Sequence, residues 1–326
     1  MIKKLIDYRR KARLAIALCE EKSNYLELGE YFLDPELKYT YRNDSDTIDF
    51  IETVIKKNNY NLSHKKDIKY KIKRVLAPNK LSILNNPEKE DFRGSIYLLS
   101  NDTSEEKDVK IFDIKTSKVL TVYVEQENLK KKVEDYKYFG EYFNIPEIME
   151  YDFDKKTSVE RLILSKTKNT WNELDYSKVI ETIFSSYEKY YKSSSKNNNH
   201  GYAKVSDMLS KLKEDETLNN LVCQIEKEIS KELITEDIPT INQHGDLWLY
   251  NTMLGENGKV YFIDWEHSGE YFLFYDLFWW MQNEALYNDN FSQLKRYLMG
   301  RYDVHFKGVF DVNRLHLIEQ FFYGVC

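Results

Sequence analysis

Cysteine is scarce: Cys19, Cys223 and Cys326 are the only three in 326 residues, scattered and without a CxxC pair. That spacing excludes a disulfide framework and a zinc site and fits a reduced, cytoplasmic compartment. No apolar run approaches the roughly eighteen residues that span a bilayer, so stable membrane insertion is not expected. A basic excess is missing too. The formal net charge is −6, which argues against a general nucleic-acid binder. Six basic residues between Lys3 and Arg13 interrupt the apolar positions of the N-terminus, and no small-residue cleavage site follows. A signal peptide is therefore not expected.

What is present is globular: 42% hydrophobic and 31% charged residues, with 26 tyrosines whose rings can pack while their hydroxyls stay polar. Residues 1–80 predict an N-terminal helical extension. Leu5, Tyr8, Ala12, Ala15, Ile16 and Cys19 fall on one helical face, with a solvated basic face opposite. Residues 20–80 read as mostly helical, including a helix through Asp46–Lys57. Residues 81–164 predict a small β lobe. Its strands are Leu81–Leu84, Ser95–Ser100, Val109–Ile114 and Val119–Val124, then Ile148–Phe153 and Ser158–Leu164 after a helix marked by Leu129, Val133, Tyr136, Phe139 and Phe143. Residues 165–326 predict a helical lobe, with amphipathic stretches at Tyr176–Lys192 and Val205–Leu233 separated by a polar surface loop, Ser193–Asn199. The expected class is α+β, with about five antiparallel strands in the smaller lobe.

The chemistry lies in one segment. His244-Gly245-Asp246 is followed, after four residues, by Asn251. A short hairpin comes next, turning at Gly255-Glu256-Asn257-Gly258 and ending in Ile263-Asp264-Trp265-Glu266. Phosphoryl transfer needs this set of groups. One carboxylate orients the attacking hydroxyl and accepts its proton, while a second carboxylate and an amide oxygen supply the hard ligands that Mg²⁺ prefers. Asp246, Asn251 and Asp264 match the kinase pattern of Asp, four residues, Asn, hairpin, Asp. Taken singly, an Asp before a strand is usually a turn or cap residue.

These residues resemble the aminoglycoside phosphotransferase and choline kinase superfamily, specifically over about residues 241–280 and more loosely over 81–165. The resemblance implies a protein kinase-like two-lobed fold and ATP and Mg²⁺ as cofactors. It implies a small-molecule acceptor with a hydroxyl group. It further implies Asp246 as catalytic base, Asn251 and Asp264 as metal ligands, and His244 and Asp276 as supports of the loop. Leu162–Ser165, with Leu164, would form the hinge that carries the adenine.

The smaller lobe departs from the family. Kinases pair a strand lysine with a helix glutamate to hold the α- and β-phosphates. Glu134 stands where the glutamate is expected, but Val119–Val124 contains no lysine, so Lys110 and then Lys118 are the candidates. The phosphate-covering loop, expected near 85–95, holds only Gly94. The missing lysine also raises the reading of a pseudokinase scaffold, against which the complete Asp246, Asn251 and Asp264 set counts. Glu266 and the aromatics around Asp276, Trp279 and Trp280 among them, suggest a cationic acceptor of the choline or ethanolamine type. Trp279 and Trp280 are adjacent on a helix, so at most one of them can face it.

Overall fold

A computed structural model describes residues 2–34, 36, 38–55, 79–84, 90–98, 108–197, 200–213, 222–223, 226–227 and 237–306. The fold is α+β, and the chain divides into two compact units. The first comprises Met1–Tyr136, Pro146–Asn172 and Gly255–Gly258.

Its centre is an eight-stranded antiparallel sheet in the order β3-β1-β2-β4-β5-β6-β8-β7. The strands are β1 (Gly29–Leu33), β2 (Tyr39–Arg42), β3 (Lys80–Ile83), β4 (Ile96–Leu98), β5 (Val109–Asp113), β6 (Lys118–Val122), β7 (Ile148–Asp152) and β8 (Thr157–Arg161). Strands β4 to β8 match five of the six expected strands, with helix α3 (Gln126–Phe139) inserted between β6 and β7; the sixth, expected at Leu81–Leu84, is β3 at the far edge of the sheet. The β5–β6 and β7–β8 hairpins are closed by one device. Asp113 accepts from the backbone N–H of Lys115 (3.0 Å) and Thr116 (3.2 Å), and Asp152 from those of Asp154 (2.9 Å) and Lys155 (3.0 Å). Each turn then passes through one left-handed residue, Ser117 or Lys156.

Residues 20–80 correct the expectation of a mostly helical extension. Helix α1 (Ile2–Glu21) is present, but β1 and β2 extend the same sheet, and β3 pairs with β1. Residue 80 is therefore no packing boundary. Strands of five and four residues are too short to show their alternation against aromatics that suit a helix equally well. Helix α1 lays Ala12, Ala15 and Cys19 on one sheet face with Tyr31, Leu81, Ile111, Leu120 and Val159. Small side chains let the helix backbone approach closely, while Arg9, Arg10, Lys11 and Arg13 stay exposed. Burial pushes the Cys19 thiol up to about 12, which makes it inert as a nucleophile. On the other face, Phe50 and Ile51, from α2 (Ser45–Phe50) and the turn that follows it, pack with Tyr39, Ile96 and Phe112.

The second unit comprises Lys137–Ile145, Glu173–Leu254 and Lys259–Cys326. Helix α4 (Glu173–Lys196) runs through Ser193–Lys196, where a surface loop was expected, because its buried face continues through Tyr190, Tyr191 and Ser194. Strand β9 (Gly201–Lys204) follows, then α5 (Val205–Leu212). The expected helix beyond Lys213 lies largely outside the described residues, as do 85–89 and 99–100. Strand β10 (Asp237–Gln243) lies between β9 and β13 (Gly269–Phe272), and β11 (Thr252–Leu254) pairs with β12 (Val260–Phe262). Helix α6 (Tyr275–Asn288) follows β13, with α7 (Ser292–Leu298) and α8 (Asp303–Phe306) behind it. Among the described residues, no helix is long and apolar enough to cross a membrane.

Candidate active site

The site is built where β10 ends. Gln243, fully buried, donates through Nε2 to the Phe272 carbonyl (2.6 Å) and so pins β10 to β13. The next residue, His244, is also fully buried. Its Nε2 lies 2.8 Å from the Ile263 carbonyl, and its Nδ1 accepts from the Asp246 N–H at 3.3 Å. That pattern requires the Nε2–H tautomer and leaves His244 no free nitrogen for a proton or a metal. Its ring lies 4.6 Å from that of Trp265, which stacks on Phe139 at 4.3 Å.

Asp276 braces the same loop. Its carboxylate accepts from the backbone N–H of His244 (2.7 Å) and of Gly245 (2.9 Å), and from the Tyr187 hydroxyl. Burial pushes the Asp276 pKa up, with the neighbouring His244 and these donors pulling the other way. The tyrosine excess of the sequence is used here. From α4, Tyr187 reaches Asp276, Tyr190 the Asn242 carbonyl (2.7 Å) and Tyr191 the Gln243 side chain (3.3 Å). Burial raises the pKa of all three, so they stay neutral donors.

Between Asp246 and Asn251, the buried Leu247 and Leu249 anchor the loop. Asn251 then donates through Nδ2 to the Asp246 carbonyl (2.8 Å) and to its Oδ2 (2.9 Å). Trp279 donates from Nε1 to Asp246 Oδ1 at 3.3 Å. Both oxygens of the half-buried carboxylate are thereby held in a fixed direction. Asn251 also accepts, through its backbone carbonyl, from Ile263 N–H at 3.0 Å. The loop is thus tied twice to Ile263, the residue before Asp264. Asp264 itself has φ 61° and ψ 57°, a left-handed conformation in which the chain leaves β12 and turns through Trp265–His267. Asp tolerates this region better than most residues, and strain of this kind collects at functional sites.

Gly245 has φ +81°, and a Cβ there would lie 2.2 Å from the His267 carbonyl and 2.5 Å from the Tyr271 hydroxyl. The backbone conformation alone disfavours alanine by about 1–3 kcal/mol. Gly245→Ala is therefore expected to lower the melting temperature and to cost activity together, measured by thermal unfolding and turnover. Wild-type stability with wild-type turnover would count against this packing.

The other expected residues divide. Trp280 is 1% exposed and belongs to the core, which corrects its assignment to the acceptor. Trp279 is half-buried, and it stacks on Tyr275 (6.0 Å, 10° between planes), which stacks on Tyr271 (4.5 Å, 20°). These three, four residues apart, form one stripe that ends at Asp246. Glu266 is exposed, with His267 Nε2 at 3.6 Å. In the first unit, Leu164 is partly exposed and its carbonyl accepts from Glu256 N–H at 3.0 Å. Lys110 stands on β5 and Lys118 at the start of β6. Glu134 is exposed on α3 and is not the residue that links that helix to the sheet. Lys132 forms such a link, to Glu160 on β8, a pair the sequence did not single out. Gln243 and the α4 tyrosines were missed as well. The one available signal was a glutamine at the end of the strand that leads into His244-Gly245-Asp246.

Residues 199–303 match the family model described as "Phosphotransferase enzyme family". No curated protein matches the chain. Among solved structures, the choline kinase LicA from Streptococcus pneumoniae is 14% identical, with a TM-score of 0.42 over 68% of this chain and 78% of that one. An aminoglycoside-3'-phosphotransferase of type VIII is 15% identical, with a TM-score of 0.43 over 69% and 91%. The macrolide 2'-phosphotransferase MphH from Brachybacterium faecium is 10% identical, with a TM-score of 0.42 over 66% and 78%. At these identities and scores we draw nothing from the likenesses alone. The resemblance to the aminoglycoside phosphotransferase and choline kinase superfamily read from the loop is matched by the phosphotransferase enzyme family over residues 199–303, the part of the chain that holds the site.

Proposed function

We propose that the chain is an ATP- and magnesium-dependent phosphotransferase that moves the γ-phosphate of ATP onto a hydroxyl of a small molecule. The observation that carries this reading is the Asp246 carboxylate, held at both oxygens by Asn251 and Trp279 on a loop fastened beside Asp264. The family match over the same segment supports it. In this reading Asp246 orients the acceptor hydroxyl and takes its proton as the oxygen attacks the γ-phosphorus and ADP departs.

The donor set fits magnesium. Asn251 spends its Nδ2 on Asp246, which leaves its Oδ1 for a cation, and Asp264 supplies a carboxylate. Among the described residues, no group of three or more His, Cys, Asp or Glu could hold a metal ion. A sparse, all-oxygen pair of ligands suits an ion that keeps waters and binds phosphate oxygens. Bound there, magnesium would offset the charge on the phosphates during transfer. Asp264→Ala is expected to remove the magnesium dependence of ATP binding more completely than Asn251→Ala, because a carboxylate contributes more to a divalent cation than an amide. Calorimetry with ATP, with and without Mg²⁺, measures this. Equal magnesium dependence in wild type and Asp264→Ala would remove the metal role from Asp264.

A narrower reading, an acceptor of the choline or ethanolamine type, is favoured by the half-buried stripe of Tyr271, Tyr275 and Trp279 beside Asp246. Aromatic faces attract ammonium groups by about 0.5–2 kcal/mol per contact, and the exposed Glu266 adds an acid. Trp279→Leu is then expected to raise KM for an amine acceptor about two- to thirtyfold. Trp279→Phe keeps a ring and loses only the donor to Asp246, so its deficit should fall on kcat. An unchanged KM in Trp279→Leu would discard the amine reading and leave the phosphotransferase reading standing.

A further inference from the structure

The phosphate-binding lysine expected on β6 is absent, and the structure offers a replacement from the opposite side of the pair. Lys132, on α3, forms an ion pair with Glu160, on β8. The two side chains are only 17% and 9% exposed. The Lys132 ammonium also lies 5.8 Å from the Tyr123 ring and 5.1 Å from the Tyr136 ring, so it is fixed in direction.

The sheet register places this pair. Val119 on β6 lies opposite Glu160, and Thr121 opposite Ser158. Side chains two apart on a strand share a face, so Glu160, Ser158, Val119 and Thr121 all stand on one side of the sheet. Leu120, Val159 and Ile111 point the other way, into the core under α1. Thr121 occupies the middle of the strand, where the lysine was expected. It is 2% exposed, and among the described residues its hydroxyl has no hydrogen-bond partner. A buried hydroxyl left unpaired is costly, and one on the same sheet face as the Glu160 that holds a lysine suits a bound anionic oxygen.

A buried ion pair contributes little to stability over an apolar pair of the same size, because desolvation offsets its attraction. Retaining one between this helix and this sheet therefore calls for a use beyond a strut. In kinases the pair joining these two elements holds the nucleotide phosphates, with the lysine on the strand and the glutamate on the helix. Here the signs are exchanged and the electrostatics are the same: one ammonium, oriented by one carboxylate.

The geometry points to Lys132 as the residue that binds the nucleotide phosphates, with Glu160 as its positioning residue and Thr121 as a neighbouring donor. The inference rests on the phosphotransferase reading above and assigns the phosphate contact to a helix lysine in place of Lys110. Calorimetry on the full chain with ATP, ADP and adenosine in the presence of Mg²⁺ tests it. Lys132→Ala is expected to weaken ATP and ADP about ten- to a hundredfold, the range for losing a charged hydrogen-bonding partner, and to leave adenosine unchanged. A purely structural pair would affect all three ligands alike. Should Lys132→Ala fail to fold with Glu160 left unpaired, the double variant Lys132→Gln with Glu160→Gln keeps a neutral hydrogen-bonding pair and is expected to show the same selective loss. Undiminished ATP affinity, equal loss of adenosine, or a loss confined to Lys110→Ala would each overturn the assignment. A wild type that binds no nucleotide overturns both this and the phosphotransferase reading. A wild type that binds ATP with no help from Lys132 overturns the assignment alone.

Discussion

Asp246→Asn is expected to cut phosphoryl transfer about 10²–10⁴-fold, the usual contribution of a positioned general base, while ATP binding and the melting temperature stay near wild type. The separation follows from the surroundings of Asp246. Its side chain is half-buried and contributes little to the core. Its carboxylate receives hydrogen bonds from Asn251 Nδ2 and Trp279 Nε1. An asparagine can present its oxygen to one of these donors, so the loop keeps its shape and loses its base. Turnover is measured by release of ADP in the presence of acceptor, and folding by thermal unfolding. Near wild-type turnover in a folded Asp246→Asn protein would show that this loop is not the reacting centre.

Asp276→Ala is expected to act on stability first. Its carboxylate satisfies the backbone N–H groups of His244 and Gly245 and receives the Tyr187 hydroxyl, all in a fully buried position. Truncation leaves two buried N–H groups without partners, at about 1–3 kcal/mol each. That is a large share of the stability of a typical domain, so a sharply lowered melting temperature or insoluble expression is expected. Tyr187→Phe removes a single donor and should cost less than Asp276→Ala. Burial also raises the Asp276 pKa, so the folded chain binds that proton more tightly than the unfolded chain. Stability from this source is therefore present at low pH and lost as pH rises from the ordinary carboxylate range through the raised pKa. A melting temperature unchanged in Asp276→Ala would contradict the bracing role.

Which parts of this arrangement the sequence revealed follows from how local their causes are. The loop from His244 to Asp264 was legible because its bonds run within one short stretch: Asn251 to Asp246, and His244 and Asn251 to Ile263. The β5–β6 and β7–β8 hairpins were legible for the same reason, since Asp113 and Asp152 cap their own turns. Tyr187, Tyr190, Tyr191 and Gln243 were not, because each acts on a partner distant in the chain and nothing in their own neighbourhood marks the target. Strands β1 and β2 were missed because short aromatic runs fit a helix or a strand, and only pairing with β3 and β4 decides between them. Trp279 and Trp280 show the limit of composition: adjacent and identical, one reaches Asp246 and the other is core. The smaller lobe misled through polarity. A lysine was sought on β6 and a glutamate on α3, whereas the pair that forms is Lys132 on α3 with Glu160 on β8.

The central claim is transfer of phosphate to a small hydroxyl acceptor, and the direct measurement is the fate of the γ-phosphate. Wild type and Asp246→Asn would be incubated with γ-labelled ATP, Mg²⁺ and, separately, choline, ethanolamine, aminoglycosides and neutral sugars, and the label followed by mass. The account predicts label on the hydroxyl of at least one of these acceptors with wild type, dependent on Mg²⁺ and lost in Asp246→Asn. Labelled acceptor formed equally by both proteins, or no label on any acceptor from a folded wild type, would contradict it.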